Sequence, residues 1–540
     1  MGVREAIEET LSSALVHLGV NPDHVQFVVE RPQRLEHGEF STNLAMVAAK
    51  SVGENPRSFA EKLCQYLMDN PVDYQEKVEI AGPGFINFYL NYRYLHNELI
   101  QVLALGEDQF AKSNLGAHEK VILEFCSANP TGPLHVGNGW WASYGDALAR
   151  LLRRCGYQVS TEYYVNDTGG QIRRLGESLL ARRAGKEVNE DGYQGEYVSV
   201  LSETYDGPEE VLEAGKWAAE KNLETIRDSL EKLGIHFNVW YSQASIEESG
   251  AVQEMVELLE AKGLVVDQDG KKLFLSTKFG DSRDRFLTKS DGDFTYLAGD
   301  IAYHYNKLVI RGFDRAIDIF GADHHGQVAS LKAAMEALEI GASRLEIILG
   351  QMVSLLSGSD RLKFSKRKGN LIPLGDLVDD LGPSATRILS LSTSIDRATS
   401  VDIDKVTAES MDNPVYYIQY AHARMASIER VRDQKGIIVP EISKINLSLL
   451  SHPRELALLR EMRMLPEIVE EAAKERAPFK VANWLKEFSG LFHSFYHDCY
   501  VISDSVDLEL TYARLALVAG CKLALRVALS LLGVEALERM

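Results

Sequence analysis

The spacing of apolar residues changes character along the 540-residue chain. The opening stretch MGVREAIEETLSSALVHLGV carries them at amphipathic-helix intervals, VQFVVERP is strand-like, and EFSTNLAMVAAKSV returns to helical spacing. KVEIAGPGFINFYL alternates on both sides of a Gly-Pro-Gly turn, the pattern of a strand pair. A small α+β domain is therefore predicted over residues 1–110, ending in the polar, glycine-containing linker LGEDQFAKSNLGAHEK.

KVILEFCSANP then opens a different rhythm, a continuous apolar run ending in turn residues, as in a buried parallel strand. After Gly137 the pattern is helical, with Tyr144, Leu148, Leu151 and Cys155 on one face and Asp146, Arg150 and Arg153 elsewhere. GYQVSTEYYVND is a further strand, which completes a βαβ unit. Ligands of such units sit beyond the carboxyl ends of the strands, so the loop at 127–139 is a site candidate by position. Residues 176–285 are charged and helical, with a short hairpin around Gly270, and are predicted to be an insertion. RAIDIFGADHHGQ, VASLKAAMEAL and LEIILGQMVSLL resume the strand–helix–strand order. The α/β domain is predicted over 118–395; beyond it no strong strand pattern recurs, and NPVYYIQYAHARMASIERV begins a helical bundle over 396–540.

Composition changes this picture little: 45% hydrophobic and 25% charged residues are ordinary for a globular protein. The start lacks the basic, unbroken apolar character of a secretory signal. Arg514, Lys522 and Arg526 interrupt the most apolar segment, YARLALVAGCKLALRVALSLLGV, which predicts a buried helix rather than a membrane span. Five widely spaced cysteines with no CxxC pair suit free thiols in a reducing cytoplasm. A net charge of −20 argues against polyanion binding by the whole surface, but basic residues cluster locally, most densely in KFSKRKG at 363–369.

Two loops carry candidate chemistry. In SANPTGPLHVGNGWW a histidine, a glycine and an asparagine stand where a helix begins, and a helix N-terminus offers unpaired N–H groups to a phosphate. His135 and Asn138 can donate hydrogen bonds to phosphate oxygens, and Gly137 leaves room for close approach; an ordinary helix cap is the competing reading. In KFSKRKGN, Lys363, Lys366, Arg367 and Lys368 surround Ser365, a set able to neutralise a triphosphate, or else an exposed basic turn. Asp323, His324 and His325 invite a metal reading, but adjacent histidines diverge and no further ligand stands at a usual spacing.

HVGN resembles the HIGH signature of class I aminoacyl-tRNA synthetases, and KFSKR their KMSKS loop. SANPTGPLHVGN, GDALARLL, YYVND, DIAYH, GADHHG, KRKGN and NPVYYIQYAHAR, in that order, resemble the arginyl-tRNA synthetase family over nearly the whole chain. HGEFSTNLAM and AGPGFINFYL are similar to that family's extra N-terminal domain. The resemblance implies a Rossmann-type class I catalytic domain, a small α+β N-terminal domain that meets the tRNA elbow, and an all-α anticodon-binding bundle. It implies an arginine–tRNA ligase: arginine attacks the α-phosphate of ATP, and the aminoacyl group passes to the 3′ end of tRNA(Arg).

By the same resemblance, His135, Asn138, Lys363 and Lys366 stabilise the transition state. ATP meets Pro130, Gly132, His135, Gly137, Asn138, Gly321, Gly326, Met352, Val353, Lys363, Ser365 and Lys366. Arginine meets Glu124, Ser127, Asn129, Tyr296, Asp300 and His324, with Tyr296 and Asp300 toward the guanidinium. A helix N-cap is the competing role for Asp300. Asn87, Tyr416, Tyr417 and Tyr420 are expected at the tRNA, where a strand hydrogen bond competes for Asn87 and core packing for the tyrosines. Mg²⁺ is expected as the partner of ATP, with no metal bound by the protein itself. A cytoplasmic monomer is the family expectation. The chain departs from the family at Asn138, at Trp140 and Trp141, and at Gly299, where an arginine is usual. A paralogue of altered substrate and a non-catalytic tRNA-binding protein are the alternatives.

Overall fold

A computed structural model describes residues 3–32, 37–322, 325–351, 353–356, 372–402 and 413–540, with backbone alone at 353–356 and 399–402. The chain forms two compact units. The first comprises Met1–Gly106, Ile428–Arg463 and Ser494–Cys521. Its antiparallel sheet has the order β1-β2-β4-β3, from Val29–Glu30, Phe40–Thr42, Gln75–Ala81 (β3) and Phe85–Leu90 (β4). The Gly-Pro-Gly turn joins β3 to β4, with Ala81 opposite Phe85, as its alternation predicts. Helices α1 (Val3–His17), α2 (Leu44–Val52), α3 (Pro56–Asp69) and α4 (Arg93–Gln109) bury Leu11, Leu15, Leu63 and Leu95. The helix α4 runs into the predicted linker, and a left-handed Gly106 (φ 64°) breaks its course.

The second unit comprises Glu107–Ser427, Met464–His493 and Lys522–Met540. Its parallel sheet has the order β12-β11-β5-β6-β7. The strands are β5 (Lys120–Glu124), β6 (Gln158–Val165), β7 (Val239–Ser242), β11 (Arg315–Gly321) and β12 (Leu345–Gly350). The chain starts at the central β5, fills one side with β6 and β7, then returns to fill the other. That reversal makes a switch point between β5 and β11, where doubly wound sheets open a crevice.

Helix α5 (Val136–Arg154) crosses from β5 to β6. Phe125 lies so close to Gly145 that an added Cβ there would fall 2.2 Å from the ring, so a side chain would push the helix off the strand. Tyr144, Leu148, Leu151 and Cys155 are buried as predicted, but so is Asp146, which the pattern assigned elsewhere. A buried partner explains it: Arg387 donates to Asp146 from α14 (Pro383–Ser390) and to the carbonyls of Leu532 at 2.7 Å and Leu233 at 3.0 Å.

The insertion contains α6 (Gly169–Arg183), α7 (Glu196–Thr204) and α8 (Val211–Lys232) before β7, then α9 (Gln243–Glu248) and α10 (Ala251–Ala261) after it. The hairpin predicted near Gly270 is β8 (Val265–Gln268) with β9 (Lys271–Phe274), joined by β10 (Arg285–Phe286). Helix α11 (Tyr296–Tyr305) continues into a π-helical turn, Asn306–Ile310, and α12 (His325–Ala337) follows β11. LEIILGQMVSLL is two strands, not one. Its second half, β13 (Val353–Leu356), leaves the main sheet and pairs with β14 (Thr399–Asp402), a four-residue strand beyond the expected limit of strand structure. From Pro414 onward the described elements are helical, and the apolar segment near the end is a helix, Leu508–Leu531. No helix among the described residues is long and apolar enough to cross a membrane.

Candidate active site

The first loop leaves β5 at Glu124 and enters α5 at His135. Turn residues alone do not hold it; donors from β6 and the insertion do. Tyr163 Oη donates to the Ala128 carbonyl at 2.8 Å, Asn222 Nδ2 to Pro130 at 3.1 Å, and Tyr197 Oη to Thr131 at 2.6 Å. Ser127 Oγ accepts from the Tyr164 amide at 3.0 Å, and the Leu374 amide closes on the Leu134 carbonyl at 2.7 Å. Gly132 packs against the Tyr197 ring, while Asn129 is exposed and Pro130 buried.

His135 caps α5, and its amide donates to Asn138 Oδ1 at 3.0 Å. The cap takes only part of Asn138: the buried side chain spends its oxygen on it and retains its NH2 as donor. Burial lowers the His135 pKa, favouring a neutral imidazole that still donates one N–H. Its ring lies beside Gly137, where an added Cβ would come within 3.1 Å of Cε1. Gly137 thus makes room for the histidine itself.

The two tryptophans share one apolar cluster, with Trp140 inside it and the half-buried Trp141 packed against its edge. Trp140 is buried with Val136, Leu377 and Leu389. Trp141 lies against the last residue of β12, its Nε1 2.4 Å from the position of a Cβ added to Gly350. Neither indole N–H has a hydrogen-bond partner among the described residues.

Beside the loop, a cleft of about 430 Å³ is lined by Tyr164, Gln243, Glu247, Lys289, Asp293, Phe294, Tyr296, Gly299 and Asp300. Tyr296 and Asp300, one turn apart on α11, line it together, as their spacing predicts. Asp300 is not the helix cap; Thr295 is, its hydroxyl accepting from the Ala298 amide. Gly299 faces open space, so the cleft is wider there than any other residue would leave it. Asp167 accepts from Ser242 Oγ and from the Ala244 amide at 2.9 Å, which anchors α9 and the Glu247 it carries. Burial raises the Tyr164 pKa, and the nearby charges of Asp300, Glu124, Glu247 and Asp167 raise it further. Carboxylates converging on one phenol create a negative potential suited to a cationic ligand.

Beneath the cleft, strand register sets Glu162, Glu124 and Asp318 side by side across β6, β5 and β11. All three are buried. Cations of α11 and its π-turn cover this rung: Lys307 Nζ bonds Glu124 and, at 2.8 Å, Asp318, and Arg311 forks onto Glu162. Tyr303 Oη also donates to Glu162 at 2.6 Å. His304 places Nε2 2.6 Å from Asp318 Oδ2 and Nδ1 2.6 Å from the Asp300 carbonyl. Both partners are acceptors, so both ring nitrogens must carry protons. Burial alone would lower its pKa, but Asp318 raises it above the ordinary histidine value. Three anions then meet three cations in a neutral buried layer.

Sequence reasoning singled out Glu124 but missed Glu162, His304, Lys307 and Asp318. A signal was present: KVILEF, STEYYV and RAIDIF each hold one acid inside an apolar strand. Tyr164 and Glu247, also missed, become visible only when the cleft is assembled.

Gly321 ends β11 level with Gly350 of β12, and Gly326 lies in the first turn of α12. Val353 is in β13. Asp323, His324, Met352, Lys363, Ser365 and Lys366 lie outside the described residues. Among the expected tRNA residues, Asn87 is buried on β4 and accepts from Ser41 Oγ at 2.8 Å. Tyr416 and Tyr420 stack with centroids 5.6 Å apart, and Arg424 lies 4.4 Å over the Tyr420 ring. Tyr417 packs on His493, with centroids 4.5 Å apart. All three tyrosines are half-buried, so packing and an accessible ring edge coexist.

Three family models match successive parts of the chain. They are the arginyl tRNA synthetase N terminal domain at 2–90, the class I (R) tRNA synthetase catalytic domain at 99–213 and 197–426, and the DALR anticodon binding domain at 418–540. A protein of Carboxydothermus hydrogenoformans named arginine–tRNA ligase is 42% identical over 534 residues, covering 96% of this chain and 95% of its own. The chain belongs to the arginyl-tRNA synthetase family. Arginine–tRNA ligase 1 of Halalkalibacterium halodurans is 40% identical over 557 residues, covering 100% of this chain and 99% of its own. The Thermus thermophilus arginyl-tRNA synthetase structure shares the family fold at a TM-score of 0.75 with 22% identity, covering 99% of this chain and 100% of that one. The switch-point crevice, the histidine-capped helix and the acid-lined cleft thus lie within the stretch matched by the family's catalytic domain.

Proposed function

We propose that this chain is an arginine–tRNA ligase, forming arginyl-adenylate from arginine and ATP and transferring arginine to the 3′ end of tRNA(Arg). The observation that carries this reading is the acid-lined cleft, whose Tyr164 bonds Ser127 of the first loop. Arginine carries a guanidinium at one end and an α-ammonium beside its reacting carboxylate at the other, and the cleft offers Asp300 and Glu247 near Tyr296. Ser127, Asn129 and Glu124 are proposed at the ammonium end, with His324. Neither reaction step needs a protein nucleophile, so holding the reactants in line and stabilising charge do the work.

In this reading His135, as a neutral donor, and the Asn138 NH2 meet the phosphates as charge develops. Lys363 and Lys366 neutralise the departing pyrophosphate. Pro130, Gly132, Gly137, Gly321, Gly326, Met352, Val353 and Ser365 surround the nucleotide. Mg²⁺ is proposed to arrive on the ATP phosphates. Residues 1–110 are assigned to the tRNA elbow, 118–395 to catalysis and 396–540 to the anticodon. The Tyr416–Tyr420 stack is a platform of the kind that single-stranded bases use. Asn87 would serve the elbow besides its bond to Ser41.

Aminoacylation of purified tRNA with a panel of amino acids tests the assignment. Arginine is expected to be charged; charging of lysine or citrulline instead would overturn it. His135→Ala should abolish adenylate formation and leave tRNA affinity nearly unchanged, and survival of activity would refute the role given to the histidine.

A further inference from the structure

We infer that Lys307 is a positioning residue for amino-acid recognition, fixing the Glu124 carboxylate from below so that one of its oxygens is presented to the substrate ammonium. This rests on the proposed role of Glu124 as that ammonium's partner. Lys307 is fully buried, carried into the sheet by the π-turn Asn306–Ile310, and bonded to both Glu124 and Asp318. Lys307 engages one carboxylate oxygen of Glu124, Oε2, and leaves Oε1 for the ligand. A carboxylate gripped at one oxygen by a buried cation is held in one orientation.

The same layer reaches the cleft at Asp300. Asp318, shared by Lys307 and His304, passes the constraint to the backbone carbonyl of Asp300, the residue whose side chain is proposed at the guanidinium. The charged and titratable groups around Lys307 are Glu124 on β5, Asp318 on β11, and Glu162 and Tyr164 on β6. Tyr303, His304 and Asp300 on α11 and Arg311 after the π-turn complete them. The Lys307 ammonium also lies 4.3 Å over the Tyr303 ring. Substitution of Lys307 removes from this set the cation that touches Glu124.

The experiment measures the arginine KM and kcat in tRNA charging for the full-length chain and its Lys307→Met and Lys307→Arg variants. In Lys307→Met the arginine KM is expected to rise about tenfold or more with kcat changed much less. Lys307→Arg, which keeps a donor for the Glu124 carboxylate, should restore most of that loss. A merely structural role would lower kcat and leave the KM near wild type, so an unchanged arginine KM in Lys307→Met would overturn the inference. Should Lys307→Met not fold, Lys307→Gln also removes the cation and is held to the same outcome. Glu124→Gln separates the two levels: an unchanged arginine KM in that variant refutes the Glu124 assignment itself. A raised KM there with an unchanged KM in Lys307→Met refutes the role of Lys307 alone.

Discussion

Trp141 and Gly350 make one contact whose two halves are 209 positions apart in the chain. The indole lies where a β-carbon of residue 350 would project, so Gly350→Ala must displace either the ring or the end of β12. Overpacking of this kind costs about 1–3 kcal/mol. Thermal unfolding should show that loss for Gly350→Ala, and a smaller one when Trp141→Ala is already present. Equal losses in both backgrounds would mean the clash is relieved elsewhere. Gly299 is the opposite case. It faces open space within α11, so Gly299→Ala should fold at least as well as wild type, because glycine in a helix is worth about 1 kcal/mol less than alanine. An arginine KM that rises in this variant would register the added methyl at the cleft wall.

At the scale of elements, the insertion fixes the first loop as well as extending the domain. Tyr197 from α7 and Asn222 from α8 reach consecutive carbonyls, Thr131 and Pro130, just before the capping histidine. A neutral hydrogen bond of this sort contributes about 0.5–1.5 kcal/mol. Tyr197→Phe keeps the ring against Gly132 and removes the donor alone. Amide exchange over residues 131–137 should therefore quicken in this variant while exchange in β5 stays at the wild-type rate. Uniform quickening across the domain would indicate global destabilisation instead. The helical rhythm of 176–285 announced an insertion, but periodicity says nothing of where a helix end points. The split of LEIILGQMVSLL into two strands was hidden for a related reason: both halves are apolar, and the partner strand, Thr399–Asp402, is too short for an alternating pattern.

At the scale of the whole catalytic unit, two buried polar assemblies join segments distant in sequence. One is Arg387 on α14, which ties α5, the end of α8 and the end of the last helix together through Asp146, Leu233 and Leu532. Arg387→Met should destabilise by about 3–5 kcal/mol, the range for removing one partner of a buried pair, measurable by denaturant titration. The other is the acid rung with its three cations. Because the folded His304 pKa lies above its ordinary value, its contribution is complete below about pH 6.5, the unfolded value, and is lost as pH rises through the folded one. His96, His422 and His493, lowered by burial, act in the opposite sense, so the difference between variants isolates His304. In Asp318→Asn the amide can donate to a neutral His304 and still accept from Lys307. The stability advantage of wild type over Asp318→Asn should therefore shrink as pH rises above about 6.5, as read by urea unfolding at several pH values. A constant difference would mean that His304 is neutral throughout.

What the sequence determined by itself was whatever depends on near neighbours along the chain. The strand-to-helix corner at His135, the pairing of Tyr296 with Asp300 one turn later, and the order of the family's motifs are all local in this sense. The tertiary structure alone decided matters that need two distant segments to meet in a definite register. It set Glu162, Glu124 and Asp318 in one row, brought Lys307 over them by a π-turn, buried Asp146, and packed Trp141 against both the Trp140 cluster and Gly350. Burying charge is costly unless an opposite charge arrives at hydrogen-bonding distance, and only the closed fold supplies that partner.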